Sequence, residues 1–600
     1  MAMHPSPADP GADPKNLFAS AARLLEAGSA DACIDCCLML LQMELPAAGK
    51  AEANLIAGVA CQRAGRKPES IRFLNCCLEL SPEHPYALNT LGIVNQEQLH
   101  VHAALGYYER GIAAKPDFVE CWYNLGNARR MLGMHVAARE SFLRVLSLRP
   151  GMADARAMLL DVSMALADWE SWRSLTSELL AVLRRGALLP PFIVFLLPEA
   201  DMADAGKCAL RWARKEYGRI PVVTNRPSDS SGAGPRRDKK LHIGYLSADF
   251  HDHATAYLLA RVLELHDRSE FTISLYSYGP DDGSPMRRRL AALPGFVELY
   301  GISTTSAVAR IVRDKVDLLV DLKGYTTANR LDIVAARPAQ VQVGWLGWPG
   351  TSGMAALDYM IVDETVCPPA DWASFSEIPY LMPGCYQPTD DTRTQPEPVP
   401  RECLGLPEDA FVLAALHQTY KINPPVFDAW CAILRAHPGT LLWLLEPHDP
   451  KARENLIAEA RSRGVAEHRL HFAPRTGQYE HLARLGSADL WLDAWPCGSH
   501  TTCSDALWTG LPVLAYAGKT FPSRVSSSVL REAGLEEYIA GSAEEFVRLA
   551  DHLIGNPEAM NALREKVEAA RQGALFDSAA FTRKLEHAFT TIWLDAHRKS

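Results

Sequence analysis

The feature that most constrains this chain is a unit of 34 residues that occurs three times without a gap. The units cover residues 51–84, 85–118 and 119–152. Two of their aligned columns are invariant; they contain Gly58, Gly92 and Gly126, and Pro82, Pro116 and Pro150. Ala104 aligns with Ala138, and Tyr108 aligns with Phe142. Such a unit is predicted to be two helices joined by a turn, because small residues let the helices approach and the proline ends the second one.

This pattern is typical of tetratricopeptide repeats, and it predicts a stack of helix pairs over residues 15–189. The flanking segments 15–50 and 153–185 are amphipathic but lack the full signature, so we expect them to cap the stack as degenerate units. An unrelated helical bundle is the alternative, which the gapless period disfavours. Stacks of this kind bind extended protein or peptide segments and carry no chemistry of their own.

Charge and hydropathy exclude several classes of partner. The chain has 600 residues and a formal net charge of -10, which disfavours binding to nucleic acid or to an anionic membrane surface. No apolar run approaches the roughly 20 residues that span a bilayer. Residues 1–14 are rich in Pro, Ala and Asp without periodicity, and we expect a disordered tail there.

The cysteines indicate a reducing compartment. Fourteen cysteines are scattered along a chain that has no signal-peptide pattern, so we expect reduced thiols in a soluble, cytoplasmic protein. The group Cys33, Cys36 and Cys37 suggests a metal or redox site as an alternative. No second pair follows at finger-like spacing, which favours small buried residues of a helix.

The pattern changes after a connector and polar linker at residues 190–240. From Leu241 onward, short apolar runs alternate with amphipathic segments, which is typical of parallel sheets covered by helices on both faces. The sequence therefore predicts two doubly wound, Rossmann-like lobes at residues 241–388 and 401–576. A final helix is predicted over residues 577–600, packing back across the lobes.

Ligands of open parallel sheets bind beyond the carboxyl ends of the strands, so the residues after each apolar run are the candidates for a site. In the first lobe, the first run is followed by Asp249, His251, Asp252 and His253, and Thr255 lies near the start of the next helix. A later run ends in a turn rich in Gly and Pro at residues 345–353, whose backbone can lie close to a ligand.

In the second lobe, His417, Gln418 and Lys421 follow a predicted strand, and a lysine can serve as a point charge for phosphate. A glycine-bearing loop then places His500, Thr501 and Thr502 at the start of a helix, where free amides and the helix dipole suit a diphosphate. Asp505, one turn later, can accept a hydrogen bond from a sugar hydroxyl.

Each of these residues also has a purely structural interpretation. Threonines and Asp at a helix start are common caps, and His481 alone fits a packing or surface role. The coincidence of polar residues at the expected end of two adjacent lobes favours a ligand site.

Several chemistries are disfavoured by missing motifs. The chain has no GxxxxGK[ST] loop, which disfavours P-loop phosphoryl transfer, and no clean GxGxxG, which disfavours a dehydrogenase. The acidic pairs in "DLLVD" and "DLWLD" fall within predicted strands, so we predict no metal. A lysine and a helix dipole would then stabilise a departing nucleoside diphosphate.

Several sequence segments are long enough to indicate a specific family. The segments "SADFHDHAT", "DLLVDLKGYT", "RPAQVQVGWLGWPGTSG", "QTYKI" and "CGSHTTCSDALWTGLPVL" closely resemble the O-linked N-acetylglucosamine transferase family. The resemblance runs in order over nearly the whole chain from residue 51. It implies a GT-B fold, a UDP-N-acetylglucosamine donor without a cofactor or metal, and inverting transfer to Ser or Thr hydroxyls of proteins guided by the repeats.

The resemblance also implies a role for individual residues. The diphosphate would be held by Gln418, Lys421, His500, Thr501 and Thr502. Asp505 would bind the ribose and His481 would stack on the uracil. The sugar and acceptor side would be lined by His253, Thr255, Leu346 and Gly347. Lys421 would stabilise the leaving group, and either Asp249 or His253 would help to remove the proton of the acceptor.

The chain also departs from the animal members of that family. Gln478 stands where a ribose-contacting lysine is expected, Tyr257 replaces a histidine, and a short connector joins the lobes where those enzymes have a large insertion. The repeat array is also shorter. The alternatives are a related transferase that uses GDP-fucose or UDP-glucose, or a repeat scaffold with an inactive transferase module. The intact set of Lys421, His500, Thr501, Thr502 and Asp505 disfavours the inactive scaffold.

Overall fold

The computed structural model describes residues 13–224 and 240–599. The chain divides into two compact units, Met1–Leu166 and Ala167–Ser600. Most of the predicted N-terminal tail and most of the polar linker lie outside the described residues. The first helix begins at Pro14, where the Asp13 side chain accepts a hydrogen bond from the Lys15 amide as an N-cap.

The described part of the first unit contains nine α-helices. They are α1 Pro14–Glu26, α2 Ala30–Gln42, α3 Ala47–Arg63, α4 Lys67–Leu80, α5 Pro85–Glu97, α6 Val101–Ala114, α7 Val119–Met131, α8 His135–Leu148 and α9 Ala153–Ala165. The pairs α3–α4, α5–α6 and α7–α8 correspond to the three predicted repeats, and the tetratricopeptide prediction is confirmed.

The glycine column is explained by the packing inside each repeat. A Cβ atom added to Gly92 would lie 2.3 Å from Cε1 of Tyr108, and one added to Gly126 would lie 2.7 Å from Cε1 of Phe142. Both aromatic side chains are buried. The glycine of the first helix therefore receives the large side chain of the second helix of the same repeat.

The three cysteines near the N-terminus belong to this helical packing. Cys33 and Cys37 are buried on α2, and the Cys33 thiol donates to the carbonyl of Ala21 at 3.3 Å. All 14 cysteines of the chain are free thiols. The group therefore has the structural role that the sequence favoured.

The second unit contains fifteen α-helices within the described residues. They are α10 Trp172–Arg184, α11 Pro191–Val194, α12 Met202–Tyr217, α13 Ala254–Leu265, α14 Pro285–Ala291, α15 Thr304–Arg313, α16 Leu331–Ala335, α17 Pro424–Ala436, α18 Pro450–Ser462, α19 Gln478–Leu485, α20 Thr501–Trp508, α21 Val525–Glu532, α22 Ala543–Gly555, α23 Pro557–Ala570 and α24 Ser578–Lys599.

The strands of the second unit form two sheets. The first sheet consists of β1 Leu241–Ser247, β2 Phe271–Ser277, β3 Phe296–Glu298, β4 Leu318–Asp321, β5 Val341–Gly344, β6 Tyr359–Val362 and β7 Ile378–Leu381. The second sheet consists of β8 Phe411–Ala415, β9 Thr440–Leu445, β10 Leu470–Ala473, β11 Leu490–Leu492, β12 Val513–Tyr516 and β13 Ile539–Ala540.

Both sheets are parallel and are built in the same way. The strand order is β3-β2-β1-β4-β5-β6-β7 in the first sheet and β10-β9-β8-β11-β12-β13 in the second. In each sheet the chain runs outward on one side of the first strand and then returns to the other side. The resulting switch points lie between β1 and β4 and between β8 and β11, where ligands of doubly wound folds bind. The predicted pair of doubly wound lobes is confirmed.

One predicted boundary differs from the structure. The repeats were expected to extend to residue 189, but the division between the units follows Leu166. Helix α10 belongs to the second unit, where Nε of Arg184 donates to the Asp204 carboxylate of α12 at 3.1 Å. Trp169, just before α10, packs edge-on against Phe427 of α17. The apolar side of this segment is thus covered by the second unit.

The final helix, α24, packs against the first lobe. The Glu586 carboxylate lies 3.1 Å from Nδ1 of His266 and accepts a hydrogen bond from the Asp267 amide at 2.7 Å. The Tyr359 hydroxyl donates to Asp595 at 2.6 Å. Within the described residues, no helix is both long enough and apolar enough to cross a membrane.

The fit between Gly92 and Tyr108 predicts opposite effects for two glycine substitutions. Gly92→Ala is expected to destabilise the first unit by about 1–3 kcal/mol, because the new methyl group overlaps the Tyr108 ring. Gly106→Ala is the matched control. Gly106 is an exposed residue within α6 whose added Cβ would meet no atom within 4 Å, so alanine should stabilise the helix by about 0.5–1 kcal/mol. Hydrogen exchange of α5 and α6 in the full chain measures both effects, and faster exchange in both variants or in neither would contradict this packing.

Candidate active site

The switch point of the second lobe brings Lys421 to the loop before α20. Lys421 ends a short 3-10 turn, Thr419–Lys421, that follows β8. Its Nζ donates to the carbonyl oxygen of Gly498 at 2.7 Å, in the loop between β11 and α20. An ammonium group has three hydrogens, so two remain without an acceptor among the described residues. The predicted lysine thus places a half-buried positive charge beside the start of α20.

Asp493 fixes the loop before α20 through hydrogen bonds to its backbone amides. This residue follows β11 directly and is fully buried, and its Oδ1 accepts from the amides of Ser499 at 2.7 Å and Ala494 at 2.9 Å. Burial raises the pKa of Asp493. The Ser526 hydroxyl also donates to the Ser499 carbonyl at 2.7 Å. These bonds fix the direction in which α20 begins.

The start of α20 offers unused donors. Thr501 and Thr502 occupy its first turn and are partly exposed, and no side chain caps the helix. The first amides of a helix have no partner within the helix, and the helix dipole adds partial positive charge there. Together with Lys421, this end of α20 has the character of an anion site.

His500 lies at the N-cap position of α20 but is already engaged. Its Nε2 donates to the carbonyl of Pro522 at 3.1 Å, because a carbonyl oxygen can only accept. Burial, reinforced by the charge of Lys421, lowers the pKa of His500 to about 3. The ring is therefore neutral near pH 7 and presents a lone pair at Nδ1. Donation to a phosphate through Nδ1 would require proton uptake when the ligand binds.

Gln418 is exposed at the same edge of the sheet, and its Oε1 accepts from Nη2 of Arg475 at 2.9 Å. The sequence analysis missed Arg475. Because Arg475 lies two residues after β10, at the carboxyl edge of the same sheet, its position after a predicted strand was the signal that could have found it. It adds a guanidinium group at the carboxyl edge of the second sheet.

His481, on α19, has a neutral imidazole ring that is held in place by a neighbouring arginine. Its Nδ1 accepts a hydrogen bond from Nη2 of Arg484 at 2.9 Å. Burial lowers the pKa of His481 to about 4, so the imidazole is uncharged near pH 7. Arg484 was also missed, although its spacing of three residues from His481 on one helix face was a usable signal.

Asp505 is buried in α20 with both carboxylate oxygens occupied. Oδ1 accepts from Nη1 of Arg393, and Oδ2 accepts from Nε2 of Gln478 at 3.2 Å. Gln478 and Asp505 are thus brought together as the resemblance implies. Arg393 lies in the connector between the lobes, whose sequence has no periodicity, and the sequence analysis gave no indication of it.

One residue singled out at a strand end is not part of the site. His417 is buried, its Nε2 donates to the carbonyl of Leu492 at 2.8 Å, and its ring stacks on Trp430 with centroids 5.9 Å apart. Burial lowers its pKa to about 3. Its side chain faces the core of the lobe, so the interpretation of His417 as a ligand residue was wrong.

The first lobe places Asp249 against an unpredicted lysine. Asp249 follows β1 and Lys323 follows β4, so the pair sits at the switch point of this sheet. Nζ of Lys323 donates to the two oxygens of Asp249 at 2.8 and 3.0 Å, and both side chains are almost fully buried. The charge of Asp249 is therefore already compensated within the protein.

His253 is the N-cap residue of α13 and lies beside this ion pair. Its Nδ1 accepts from the Thr255 amide at 3.1 Å and lies 3.5 Å from Oδ2 of Asp249. The Thr255 hydroxyl also lies 3.5 Å from Oδ2 of Asp249. The His253 side chain is 41% exposed, so it is the accessible member of the group. Burial nevertheless lowers its pKa below 6.5.

The predicted turn at Leu346 and Gly347 follows β5 and packs against the chain after β4. Leu346 has a left-handed backbone with φ of 69°. A Cβ atom added to Gly347 would lie 1.9 Å from the carbonyl oxygen of Leu322. Only glycine permits this approach. The turn is therefore adjacent to Lys323 at the carboxyl edge of the first sheet.

The two groups of residues face each other, because α13 of the first lobe contacts α20 of the second. Burial and then Asp252 raise the pKa of Tyr257, and Asp505 also contributes. Tyr257 donates to Asp252 at 2.8 Å. The start of α13, with His253, thus lies on the same side of the unit as Asp505.

The possible metal ligands among the described residues do not form a metal centre. Across residues 13–224 and 240–599, no three His, Cys, Asp or Glu side chains are grouped so that they could hold a metal ion. The positive charge at the carboxyl edge of the second sheet comes from Lys421, Arg475 and the first turn of α20. The independence of the reaction from metal stays a prediction.

Similar proteins are known. The sequence model described as Glycosyl transferase family 41 matches residues 196–397 and 389–585. A protein of Arabidopsis thaliana named as a probable UDP-N-acetylglucosamine–peptide N-acetylglucosaminyltransferase SEC is 31% identical over 463 residues, which are 72% of this chain and 46% of that protein. The UDP-N-acetylglucosamine–peptide N-acetylglucosaminyltransferase of Caenorhabditis elegans is 26% identical over 471 residues, which are 59% of this chain and 41% of that protein. The chain thus spans less than half the length of these relatives.

A solved structure is similar along most of the chain. It is a mutant of the Thermobaculum terrenum O-GlcNAc transferase, with a TM-score of 0.69 and 28% sequence identity. The match covers 93% of this chain and 100% of that chain. The predicted fold class, helical repeats followed by a GT-B pair of Rossmann-like lobes, is confirmed.

The buried state of His417 predicts a specific loss of stability in acid. Its pKa is about 3 in the folded protein against 6.5 for the ordinary side chain, so below pH 6.5 the unfolded chain binds a proton that the folded chain does not. The free energy of unfolding should fall by about 2 kcal/mol from this residue between pH 7 and pH 5.

Thermal unfolding of the wild type and His417→Gln at both pH values measures this contribution. The variant should lose less stability on acidification, because glutamine can donate to Leu492 but does not titrate. His468→Gln, at an exposed position of the same lobe, is the control and should keep the wild-type difference. Equal pH dependence in the wild type and both variants would contradict the interpretation.

Proposed function

The chain belongs to glycosyl transferase family 41, and on this basis we propose that it transfers N-acetylglucosamine from UDP-N-acetylglucosamine to Ser or Thr hydroxyls of proteins. The observation that carries the proposal is the position of Lys421 against the loop before α20, where its Nζ donates to the Gly498 carbonyl. It places a cation with two unused donors beside free helix amides, as a leaving nucleoside diphosphate requires. The names of the relatives support the choice of donor and acceptor.

For the donor, we propose that the diphosphate lies against Lys421, Gln418 and the first turn of α20 at Thr501 and Thr502. His500 would join them after taking up a proton at Nδ1. The uracil would stack on the neutral ring of His481, and the ribose would bind Asp505. No residue in this arrangement requires a metal ion, because lysine and amide hydrogens supply the positive charge.

For the acceptor, we propose His253 as the proton acceptor and Asp249 as the residue that orients it. Asp249 is buried and paired with Lys323, whereas His253 is accessible. In the resting hydrogen-bond pattern Nδ1 accepts from Thr255, which leaves the proton on Nε2. A change of tautomer that places the proton on Nδ1, where it could be donated to Oδ2 of Asp249 3.5 Å away, would free the Nε2 lone pair to act as a base.

The wider site would complete an inverting reaction. Thr255 and the turn at Leu346 and Gly347 would line the sugar, since both lie at the carboxyl edge of the first sheet. The repeats would hold an extended segment of the acceptor protein, as such stacks commonly do. GDP-fucose and UDP-glucose remain the alternative donors, and an inactive repeat scaffold is the alternative function.

The first test of this proposal is a donor screen with Lys421→Met. The full chain is incubated separately with UDP-N-acetylglucosamine, GDP-fucose and UDP-glucose, together with peptides that contain Ser and Thr. Intact-mass analysis of the protein and peptides detects transfer. We expect a mass gain with UDP-N-acetylglucosamine, and a rate about 10²–10³ lower in Lys421→Met, because the leaving diphosphate loses a charged donor.

The control is Lys451→Met, which removes an exposed lysine of α18 that pairs with Glu454 in the same lobe. It should keep the wild-type rate. If no donor gives transfer, and neither UDP nor GDP shifts the melting temperature, the inactive scaffold is the correct function. Transfer from GDP-fucose alone would replace the proposed donor.

The assignment of His253 predicts the pH dependence of the reaction. A base must be neutral, and burial lowers the pKa of His253 below 6.5. The rate should therefore be flat between pH 7 and pH 8 and fall as the pH decreases through a value below 6.5. His253→Asn, which retains a side chain able to cap α13, should lower the rate by about 10²–10⁴ with little change in melting temperature.

Asp249→Asn provides the contrast. It leaves Lys323 buried without its partner, so it should lower the melting temperature as well as the rate. A wild-type rate in His253→Asn, or a rate that rises in acid, would show that His253 is not the base.

A further inference from the structure

Arg393 belongs to the connector between the lobes, and its buried, charged side chain lies in the proposed donor site. Its side chain is 5% exposed and its ion-pair partner, Asp505, is 3% exposed. Nη1 donates to Oδ1 of Asp505, and the guanidinium lies 5.2 Å from the centre of the Trp508 ring on the same helix. No acceptor among the described residues is available to its buried Nη2. A buried guanidinium donor without a protein partner is unfavourable, so Nη2 is available to an oxygen atom of a ligand.

The position of Arg393 is fixed from the side of the first lobe. Its Nε donates to the carbonyl of Asp390 at 3.2 Å. The Asp390 side chain is fully buried and accepts from Nη1 of Arg289, on α14, at 2.6 Å. Arg289 also pairs with Glu264 of α13 at 2.6 Å. A series of hydrogen bonds and ion pairs therefore connects Glu264 of the first lobe, through the connector, to Asp505 in the second lobe.

We propose that Arg393 is a positioning residue for nucleotide recognition, which holds the Asp505 carboxylate so that it accepts hydrogen bonds from the two ribose hydroxyls of a nucleoside diphosphate. This inference rests on the proposed function, in which Asp505 binds the ribose. It assigns to the connector a part in donor specificity, in addition to its part in joining the lobes.

The hydrogen-bonding capacity of Asp505 supports this role. A carboxylate has about four acceptor positions, and Arg393 and Gln478 occupy one on each oxygen. One position per oxygen remains, which matches the two neighbouring hydroxyls of a ribose. Arg393 donates to one oxygen of the Asp505 carboxylate and Gln478 donates to the other, so the plane of the carboxylate is fixed. The unused Nη2 donor of Arg393 is then satisfied by a ligand oxygen beside Asp505.

Removing the guanidinium would leave a buried carboxylate with a single neutral partner. Such a group reorients toward water or toward other donors, because an uncompensated charge in the interior is strongly unfavourable. The ribose hydroxyls would then lose their acceptor. Contacts to the diphosphate at Lys421 and to the base at His481 would remain, since neither residue bonds to Arg393. The effect on binding should therefore depend on the ribose hydroxyls.

The test compares UDP with 2′,3′-dideoxy-UDP by titration calorimetry, on the full chain and on Arg393→Met. The wild type should bind UDP about 10- to 100-fold more tightly than the dideoxy ligand, the range expected for hydrogen bonds to a charged group. Arg393→Met should bind UDP about 10- to 100-fold more weakly than the wild type and should bind the dideoxy ligand with nearly unchanged affinity. Arg393→Lys keeps the charge without the fork geometry, and its loss for UDP should be intermediate.

Arg401→Met is the matched control. Arg401 directly follows the same connector. It pairs at 2.7 Å with Asp489, which lies at the amino end of β11 on the opposite edge of the sheet. Its removal should affect the melting temperature as the loss of Arg393 does, without changing the preference for UDP. The control thus separates loss of an ion pair from loss of ribose recognition.

The outcomes distinguish a failure of the proposed function from a failure of the role assigned to Arg393. If the wild type binds neither UDP nor GDP, the proposed function fails and this inference fails with it. If the wild type binds UDP and the dideoxy ligand equally, or if Arg393→Met and Arg393→Lys weaken both ligands by the same factor or neither ligand, only the role of Arg393 is overturned. A selective loss for UDP in the Arg393 variants, absent in Arg401→Met, supports it.

Discussion

The arrangement of the second lobe depends on the bonds that fix the loop between β11 and α20. Asp493 accepts the amides of Ser499 and Ala494 from beneath, and Lys421 donates to Gly498 from the neighbouring strand end. A buried carboxylate and a half-buried ammonium thus hold one short loop from two sides. Because that loop sets the direction of α20, it also sets the positions of Thr501, Thr502 and Asp505. Loosening the loop would displace Thr501, Thr502 and Asp505 together.

Much of the fold was accessible from the sequence, because its signals were periodic. The repeat length predicted the helix pairs, and the apolar runs that alternate with amphipathic segments predicted most of the parallel strands. β3, β7 and β13 were missed. They lie at the edges of the sheets and at most one residue of each is buried, so their apolar signal is weak. The extent of the repeats was also misjudged, because an amphipathic helix such as α10 does not reveal which unit covers its apolar side.

The candidate site was predictable where a residue directly follows a strand, and much less so elsewhere. Lys421 and Asp249 were selected by that rule, and Thr501 was selected by its position at the start of a helix. The same rule also selected His417, whose side chain turns toward the core, because position after a strand does not determine side-chain direction. Lys323 also follows a strand, β4, so the same rule could have found it. Arg393 was missed for a different reason. It pairs with a buried carboxylate far away in sequence, and only the folded chain shows which charge needs compensation.

The packing of glycine against a large side chain within each repeat also bears on how such proteins diversify. The contact between Gly92 and Tyr108, or between Gly126 and Phe142, is internal to a single 34-residue module. Duplication or deletion of a whole module therefore leaves the interior of every other module intact. A lineage can lengthen or shorten its array by recombination without rebuilding the hydrophobic contacts it retains. Evolution can thus alter the reach of the helical stack separately from the chemistry of the sheets.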